Sequence, residues 1–461
     1  MPTNVIVLKT NAGIKRDGTV FEGDYYVDGQ WVRFQRGLPR KMWGYKSFNL
    51  LTEEICRGIN SYTEGNYIYC HTGSESYLSR FTLDFNGNPS IISDRTPSSY
   101  TPDANNCWMF DVMFSAVSLS NYLIAHVAPN ENNIASTGDG YIYTGDITGT
   151  TALTDVSLPA NGNATGGIVV LHPYLFYYGK AGFVGWSVSG DPTDLTGSGS
   201  GQARVTGQKI VKGLPLRAGA GTAPAGLFWS YDSLIRCTFT GGATVFQFDT
   251  ISAEITVMSQ NSIIEYDGIY YWCGVDRFLM FNGVVREVPN TMNFNWFFDN
   301  INEEQRQKVF AIKVPRYGEI WWCYPRDSAT ECTHAIVYNV RENTWYDTEL
   351  PNSGRSAATF SPVFAAPIMT GVVDDGSGYK IWRHEYGLDE IDGTSVNPIV
   401  SYFETCDLSF AVTQGANRKM RVSYIEPDFV QVGDMQVQIT GRANARSPEA
   451  VSYTHLRAHE T

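Results

Sequence analysis

Charge is scarce in this chain: only 18% of its 461 residues are Asp, Glu, Lys or Arg. No apolar run approaches the ~20 residues needed to span a bilayer, so no stable membrane insertion is expected. The start, MPTNVIVLKTNAG, lacks a basic stretch leading into a long apolar one, so no secretory signal is read there and folding in a cytoplasm is expected. The eight cysteines, at 56, 70, 107, 237, 273, 323, 332 and 406, include no CxxC pair. That excludes a cysteine-paired zinc motif and a dense disulfide scaffold, and it predicts reduced, buried thiols. G-x-S-x-G and G-x-x-x-x-G-K-[ST] are missing, so neither an esterase elbow nor a P-loop is signalled.

What is present is aromatic and acidic. Aromatics reach 13%, which suits pleated sheet surfaces, and the net charge of −13 repels phosphate backbones. Asp-Gly and Asn-Gly dipeptides recur between apolar runs, the strongest short hairpin signal because both turn positions need positive φ. Ser262–Asp347 is the densest example: Asp267-Gly268 and Asn282-Gly283 separate three aromatic runs, and two further strands follow, ending near Trp345. Similar units, each of about 30–55 residues, begin near Ile59, Trp108, Gly167, Ala225 and Ala357. Each holds three or four short strands. Four-stranded sheets repeated at this spacing predict an all-β fold, a β-propeller of six to seven four-stranded blades, over a multi-sheet sandwich.

The expected organisation is N-terminal strands joining the propeller over 1–50, the propeller over 51–396, and a C-terminal β module over 397–450. One helix is predicted at Asn302–Phe310, within an insertion near 299–312, with Asn302 as N-cap and Gln305 completing a capping box. Trp296, Phe297 and Phe298 should pin it to the sheet. The last segment, VSYTHLRAHET (451–461), shows no strand alternation and resembles translated read-through of a sequencing adapter. It is read as non-native, with the natural chain cut near 450 and the last module incomplete.

Chemistry-bearing candidates read mostly as structure. His71, His126, His172, His334 and His384 are scattered, and Cys332 with His334, alternate residues on a strand, reads as packing over a metal site. Asp374-Asp375-Gly376 and Asp389–Gly393 resemble calcium-loop fragments without the full spacing and are read as turns. Glycosidase chemistry needs a carboxylate pair, which nothing singles out, and no unit carries the S-x-D-x-G-x-x-W turn of sialidase propellers. The basic run Arg33, Arg36, Arg40, Lys41, Lys46 is read as a solvated strand edge. Gly197–Gly201 and Arg217–Gly226 are read as inter-blade loops or mobile surface tips. No catalytic, cofactor-binding or metal-binding residue is assigned, and the chain is read as a non-enzyme without a cofactor.

GIKRDGTVFEGDYYVDGQWVRFQRGLPRKMWGYK resembles the opening of nozzle- or hub-type tail proteins of short-tailed bacteriophages. The matching positions are Gly13, Arg16, Gly18, Thr19, Trp31, Val32, Arg33, Phe34, Gly37, Pro39, Lys41 and Gly44. Further matching pieces are GWSVSGDPTDL (185–195), GLFWSYDSL (226–234), DGIYYWCGVDRFLMFNG (267–283) and GEIWWCYP with VYNVRENTWY (318–346). The sequence departs from the pattern at Trp43 and at the C-terminus. The resemblance implies a virion tail protein assembled in the bacterial cytoplasm. It implies a homo-oligomeric ring, usually of about six copies, against adaptor and portal proteins and docking tail fibres or spikes. The ring would extend the channel, retain packaged double-stranded DNA and pass it at ejection without reading its sequence, with the two Gly-rich loops as possible gates. The rival readings are a propeller adhesin that binds host glycan or a tail-fibre partner, and a polysaccharide-degrading enzyme.

Overall fold

The computed structural model describes residues 10–20, 24–103, 106–129, 140–217, 223–242, 244–407, 430, 435–441, 447 and 450–456. The chain falls into two compact units, Met1–Thr405 and Cys406–Thr461. The first is a β-propeller, and its blades number seven. Blades 1 to 6 are four-stranded antiparallel meanders in chain order, at 58–94, 106–155, 167–204, 210–252, 263–287 and 310–349. Blade 7 takes three strands in order, Arg355–Ser361, Ala366–Asp374 and Tyr379–His384. Its fourth strand is Tyr45–Thr52 from the other end of the chain, paired antiparallel with Tyr379–His384. Glu390–Asp392 and Ser395–Asn397 extend that sheet outward. The innermost strands touch between blades 1 and 2, 2 and 3, 3 and 4, 5 and 6, 6 and 7, and 7 and 1, while blades 4 and 5 meet through Trp229 and Trp272, so the ring closes. Such closure excludes the sandwich.

The turn dipeptides do what their chemistry predicts. Asp267 and Gly268 take φ of 55° and 78°, the left-handed pair that joins two twisted strands tightly. The aromatics fill the seams between blades: Trp229 of blade 4 meets Trp272 of blade 5 edge-on at 5.8 Å, both fully buried. Gly73 of blade 1 has no room for a side chain, because a Cβ there would lie 2.2 Å from the Trp108 ring of blade 2. Cys56, Cys70, Cys237, Cys273, Cys323 and Cys332 are buried thiols, as small hydrophobes in a core are.

The N-terminal strands Asn11–Ile14 and Tyr25–Gln30 pair in parallel, and Tyr25–Gln30 pairs antiparallel with Tyr402–Thr405. Val32–Gln35 and Leu38–Lys41 form a hairpin beside them. Tyr402–Thr405 was expected to open the C-terminal module; backbone pairing with the far end of the chain draws it here.

The helical prediction needs correcting. Asn302 does cap a helix, but its side chain accepts from the Glu304 amide at 3.2 Å, and the turn is a 3₁₀ helix over Glu303–Lys308. Pro325 and Asn302 join backbones at 2.9 Å and Lys308 reaches the Thr330 carbonyl at 2.6 Å, so blade 6 fixes both ends of this short turn. The α-helix lies earlier, at Phe294–Phe298, where the pinning aromatics were read; the Asp17 carboxylate accepts from the Asn295 and Trp296 amides at its start. In the second unit, Met435–Gly441 pairs antiparallel with Ala450–Leu456. A strand therefore runs through 451–456, where alternation predicted none, because a two-stranded ladder satisfies backbone groups whatever the side-chain pattern.

Candidate functional site

The residues that carry the N-terminal motif form a clasp over blades 6 and 7. Arg16 donates from Nε to Asp347 Oδ1 at 3.0 Å and from a terminal nitrogen to Oδ2 at 3.1 Å, and also pairs with Asp28. Asp347 is buried on the outermost strand of blade 6. Burial raises its carboxyl, and Arg16 opposes that. Gly13 lies where a Cβ would come within 2.5 Å of Thr344 Oγ1. The Trp31 amide donates to Thr348 Oγ1 at 3.0 Å, and the Trp31 ring meets Trp321 edge-on at 6.1 Å. Gly44 lies so close to the Asp389 backbone that a Cβ would be 2.1 Å from its oxygen.

Arg33 is the centre of the clasp. It is 1% exposed, between Glu319 of blade 6, 0% exposed, and Glu385, 7% exposed. Its terminal nitrogens donate to both Glu385 oxygens at 2.8 and 2.6 Å, and its Nε lies 3.0 Å from Glu319 Oε1. Glu319 also accepts from Trp321 Nε1 at 2.9 Å and from the Tyr346 hydroxyl at 2.7 Å. The guanidinium lies 3.8 Å over the Tyr317 ring. The reading of this basic run as a solvated edge is corrected for Arg33: its carboxylate partners come from positions hundreds of residues away, which no local pattern reveals. Arg36 and Arg40 are exposed, as expected, while Lys41 reaches Asp389 at 3.4 Å.

Between the clasp and blades 6 and 7 lies a pocket of about 450 Å³, lined by Trp31, Tyr45, Glu349, Asn352, Glu390 and Tyr402 among others. Tyr45 donates its hydroxyl to Glu390 at 2.7 Å. A second, smaller well of about 220 Å³ opens on the innermost strands of blades 4, 5 and 6, with Lys212, Arg217, Glu265 and Lys313 on its wall.

The remaining sequence candidates fall into place as structure. Cys332 contacts the Lys308 carbonyl at 3.2 Å, whereas His334 contacts Thr333 Oγ1 and the Tyr324 ring, so they share no site. The strand starts only at His334, which breaks the assumed alternation. Asp374 accepts from the Gly376 and Gly378 amides at 2.8 and 3.0 Å, an acidic turn cap. Asp389–Gly393 is corrected from a turn to a strand at Glu390–Asp392. Lys380 bridges the two acidic segments, 3.0 Å from Asp375 and 2.7 Å from Asp392, in the place a cation would take. Among the described residues no three His, Cys, Asp or Glu gather as a metal site, and no helix is long and apolar enough to cross a membrane.

Gly197–Gly201 lies between the third and outermost strands of blade 3, away from the propeller axis. The Gly199 carbonyl accepts from Trp186 Nε1 at 3.1 Å and the Ser200 amide closes on Gly197 at 3.1 Å, so this loop is fastened within its blade, where an inter-blade loop or a mobile tip was expected. Residues 218–222 of the other Gly-rich loop lie outside the described residues.

No protein-family model and no curated protein matches the chain. Among solved structures it is similar to the WD40 β-propeller domain of Doa1, at 10% identity and a TM-score of 0.44, over 74% of this chain and 97% of that one. It is also similar to the extracellular domain of the putative one component system BT4673 from B. thetaiotaomicron, at 11% identity and a TM-score of 0.47. That match covers 79% of this chain and 46% of the other.

Proposed function

We propose that the chain is a structural component of a short bacteriophage tail, a nozzle-type propeller that assembles with copies of itself into a ring for DNA retention and passage. Its role is mechanical and not catalytic, and it acts in the virion after assembly in the host cytoplasm. The observation that carries this reading is the distribution of exposed apolar side chains. Val117 and Leu119 stand on the turn between the first and second strands of blade 2, 74% and 76% exposed. Phe85 and Ile91 stand between the third and fourth strands of blade 1, and Val284 between those of blade 5. In a meander those two kinds of turn share one end, so these residues share one face of the propeller. Leu38 joins them: its hairpin is held there by Glu342, which accepts from the Arg36 amide and, at 3.0 Å, from the Gly37 amide. Apolar groups exposed on one face of an acidic fold support reading that face as a surface for protein contact. The motif residues Gly13, Arg16, Trp31, Arg33 and Gly44 all serve the clasp, which supports reading the resemblance as one of architecture.

A second reading is a glycan-binding adhesin, favoured by the pocket that joins the aromatic rings of Trp31, Tyr45 and Tyr402 to the polar groups of Asn352, Glu349 and Glu390. Negative-stain imaging of the purified chain at high concentration separates the two. The tail reading expects rings about a central hole and no signal on a glycan array. Single propellers at every concentration, with saturable glycan binding lost in Tyr45→Phe, would replace it with the adhesin.

A further inference from the structure

The well at the propeller axis is cationic in a chain of net charge −13. Its wall carries Lys212 on the innermost strand of blade 4, Arg217 just beyond that strand, and Lys313 on the innermost strand of blade 6. One carboxylate, Glu265 on the innermost strand of blade 5, faces them. Glu265 is already engaged: it accepts from the Gly268 amide at 2.7 Å and from Lys313 at 3.2 Å, and Arg217 stands 3.7 Å away. Lys313 also donates to the Glu265 carbonyl at 2.8 Å.

Lys212 is different. Among the described residues its ammonium makes no hydrogen bond and no ion pair; Asp111 of blade 2 attracts it, and the buried His126 lies near enough to be lowered by it. Asp111 spends its oxygens on the Val112 and Val170 amides, each at 2.8 Å. Burial lowers the lysine to about 8, the mark of a cation with too little counter-charge around it. Even with Asp111 counted, three cations face two carboxylates. The mouth is built and not loose. The Tyr270 hydroxyl donates to the Pro215 carbonyl and accepts from the Arg217 amide at 3.1 Å, which fixes where Arg217 leaves the strand.

We infer that this well is a binding site for a small phosphate-type oxyanion, with Lys212 as its principal ligand and Arg217 and Lys313 at its rim. A tetrahedral oxyanion presents several acceptors at once, which suits ammonium donors as point charges and a guanidinium at the edge. The well is roomy enough for inorganic phosphate or a small phosphomonoester, and it is closed to a duplex by size. This site stands apart from the proposed assembly role: neither requires the other.

The test is thermal unfolding of the full chain at pH 7 in 10 to 20 mM inorganic phosphate, or in a small sugar phosphomonoester, against chloride at equal ionic strength. The expected result is a rise in unfolding midpoint that saturates with phosphate and is absent in chloride. Lys212→Met should fold, because it removes an underpaired charge, and should lose that rise, with binding by calorimetry weakened at least about tenfold, the size of one lost charged contact. A greater rise with the monoester identifies an organic phosphate as the ligand, and a greater rise with inorganic phosphate identifies the free ion. No rise with either, or an equal rise in folded Lys212→Met, overturns the proposal. Arg217→Gln gives a second check at the exposed rim, where folding is not at risk, and should weaken the same response.

Discussion

Arg33→Met should destabilise the first unit by about 3–5 kcal/mol, the cost of breaking a buried ion pair from one side. The side chain it replaces is 1% exposed and neutralises two buried carboxylates. Methionine fills the space of the stem but leaves Glu319 and Glu385 facing each other across the gap. Burial and the Glu385 charge already push Glu319 upward, and Arg33 opposes them most, with the Trp321 and Tyr346 hydrogen bonds behind it. The loss should therefore shrink in acid, where the stranded carboxylates take up protons. It should also shrink in the triple variant Arg33→Met, Glu319→Gln, Glu385→Gln, which leaves no buried charge behind. Urea unfolding at pH 7 and again in acid reads both effects. A loss below about 1 kcal/mol, the worth of an exposed pair, would mean that Arg33 is not the buried centre of the clasp.

The second large effect is a steep fall in stability as the pH drops below about 6.5. His71, His126 and His384 are buried, and burial holds each below its ordinary range; for His126 the value falls to about 4. Two of them also lie against a buried arginine: His71 stands 3.4 Å from Arg95, and His384 accepts from Arg355 Nε at 3.1 Å. Arg95 also donates to the Thr151 and Asp146 carbonyls, and one terminal nitrogen of Arg355 to the Pro351 and Gly354 carbonyls. The unfolded chain takes up a proton on each histidine near pH 6.5, and the folded chain does not. Below that pH the unfolded state binds more protons, so stability is present above 6.5 and is lost as the pH falls. Each histidine contributes up to about 1.4 kcal/mol per pH unit. Asp111, Glu319 and Asp347, which burial raises, work the other way lower down, since the folded state protonates them first. The slope should be steepest about one pH unit or more below 6.5, where the unfolded histidines are protonated and the folded ones are not. His384→Gln keeps an acceptor for Arg355 and should remove about one proton's share of the slope. Equal slopes in the variant and the parent would show that His384 titrates freely.

The blades were legible because their determinants are local. Asp267-Gly268 forces a tight hairpin wherever it stands, and the aromatic runs around it read as strands from their own composition. The closure was not legible. Nothing near Tyr45–Thr52 says that it completes a sheet begun at Arg355, and nothing near Arg33 names Glu319 and Glu385. Helix type was missed at Asn302 for a related reason: the cap is local, but a single turn fastened at both ends by blade 6 has no length in which to settle into an α-helix. The axial well was invisible as well. Asp111, Lys212, Glu265 and Lys313 sit on four different blades, and only the ring brings them near one axis.

The N-terminal segment supplies both the clasp and the last strand of the seven-bladed ring. The direct test is to produce residues 54–461 without 1–53 and follow unfolding by near-ultraviolet circular dichroism, alone and with the 1–53 fragment added. Alone, the longer piece should lack the cooperative transition, because blade 7 has no fourth strand and Glu319, Glu385 and Asp347 lose their arginine partners. Adding the fragment should restore it. A cooperative transition at the parent's midpoint in 54–461 alone would contradict the account.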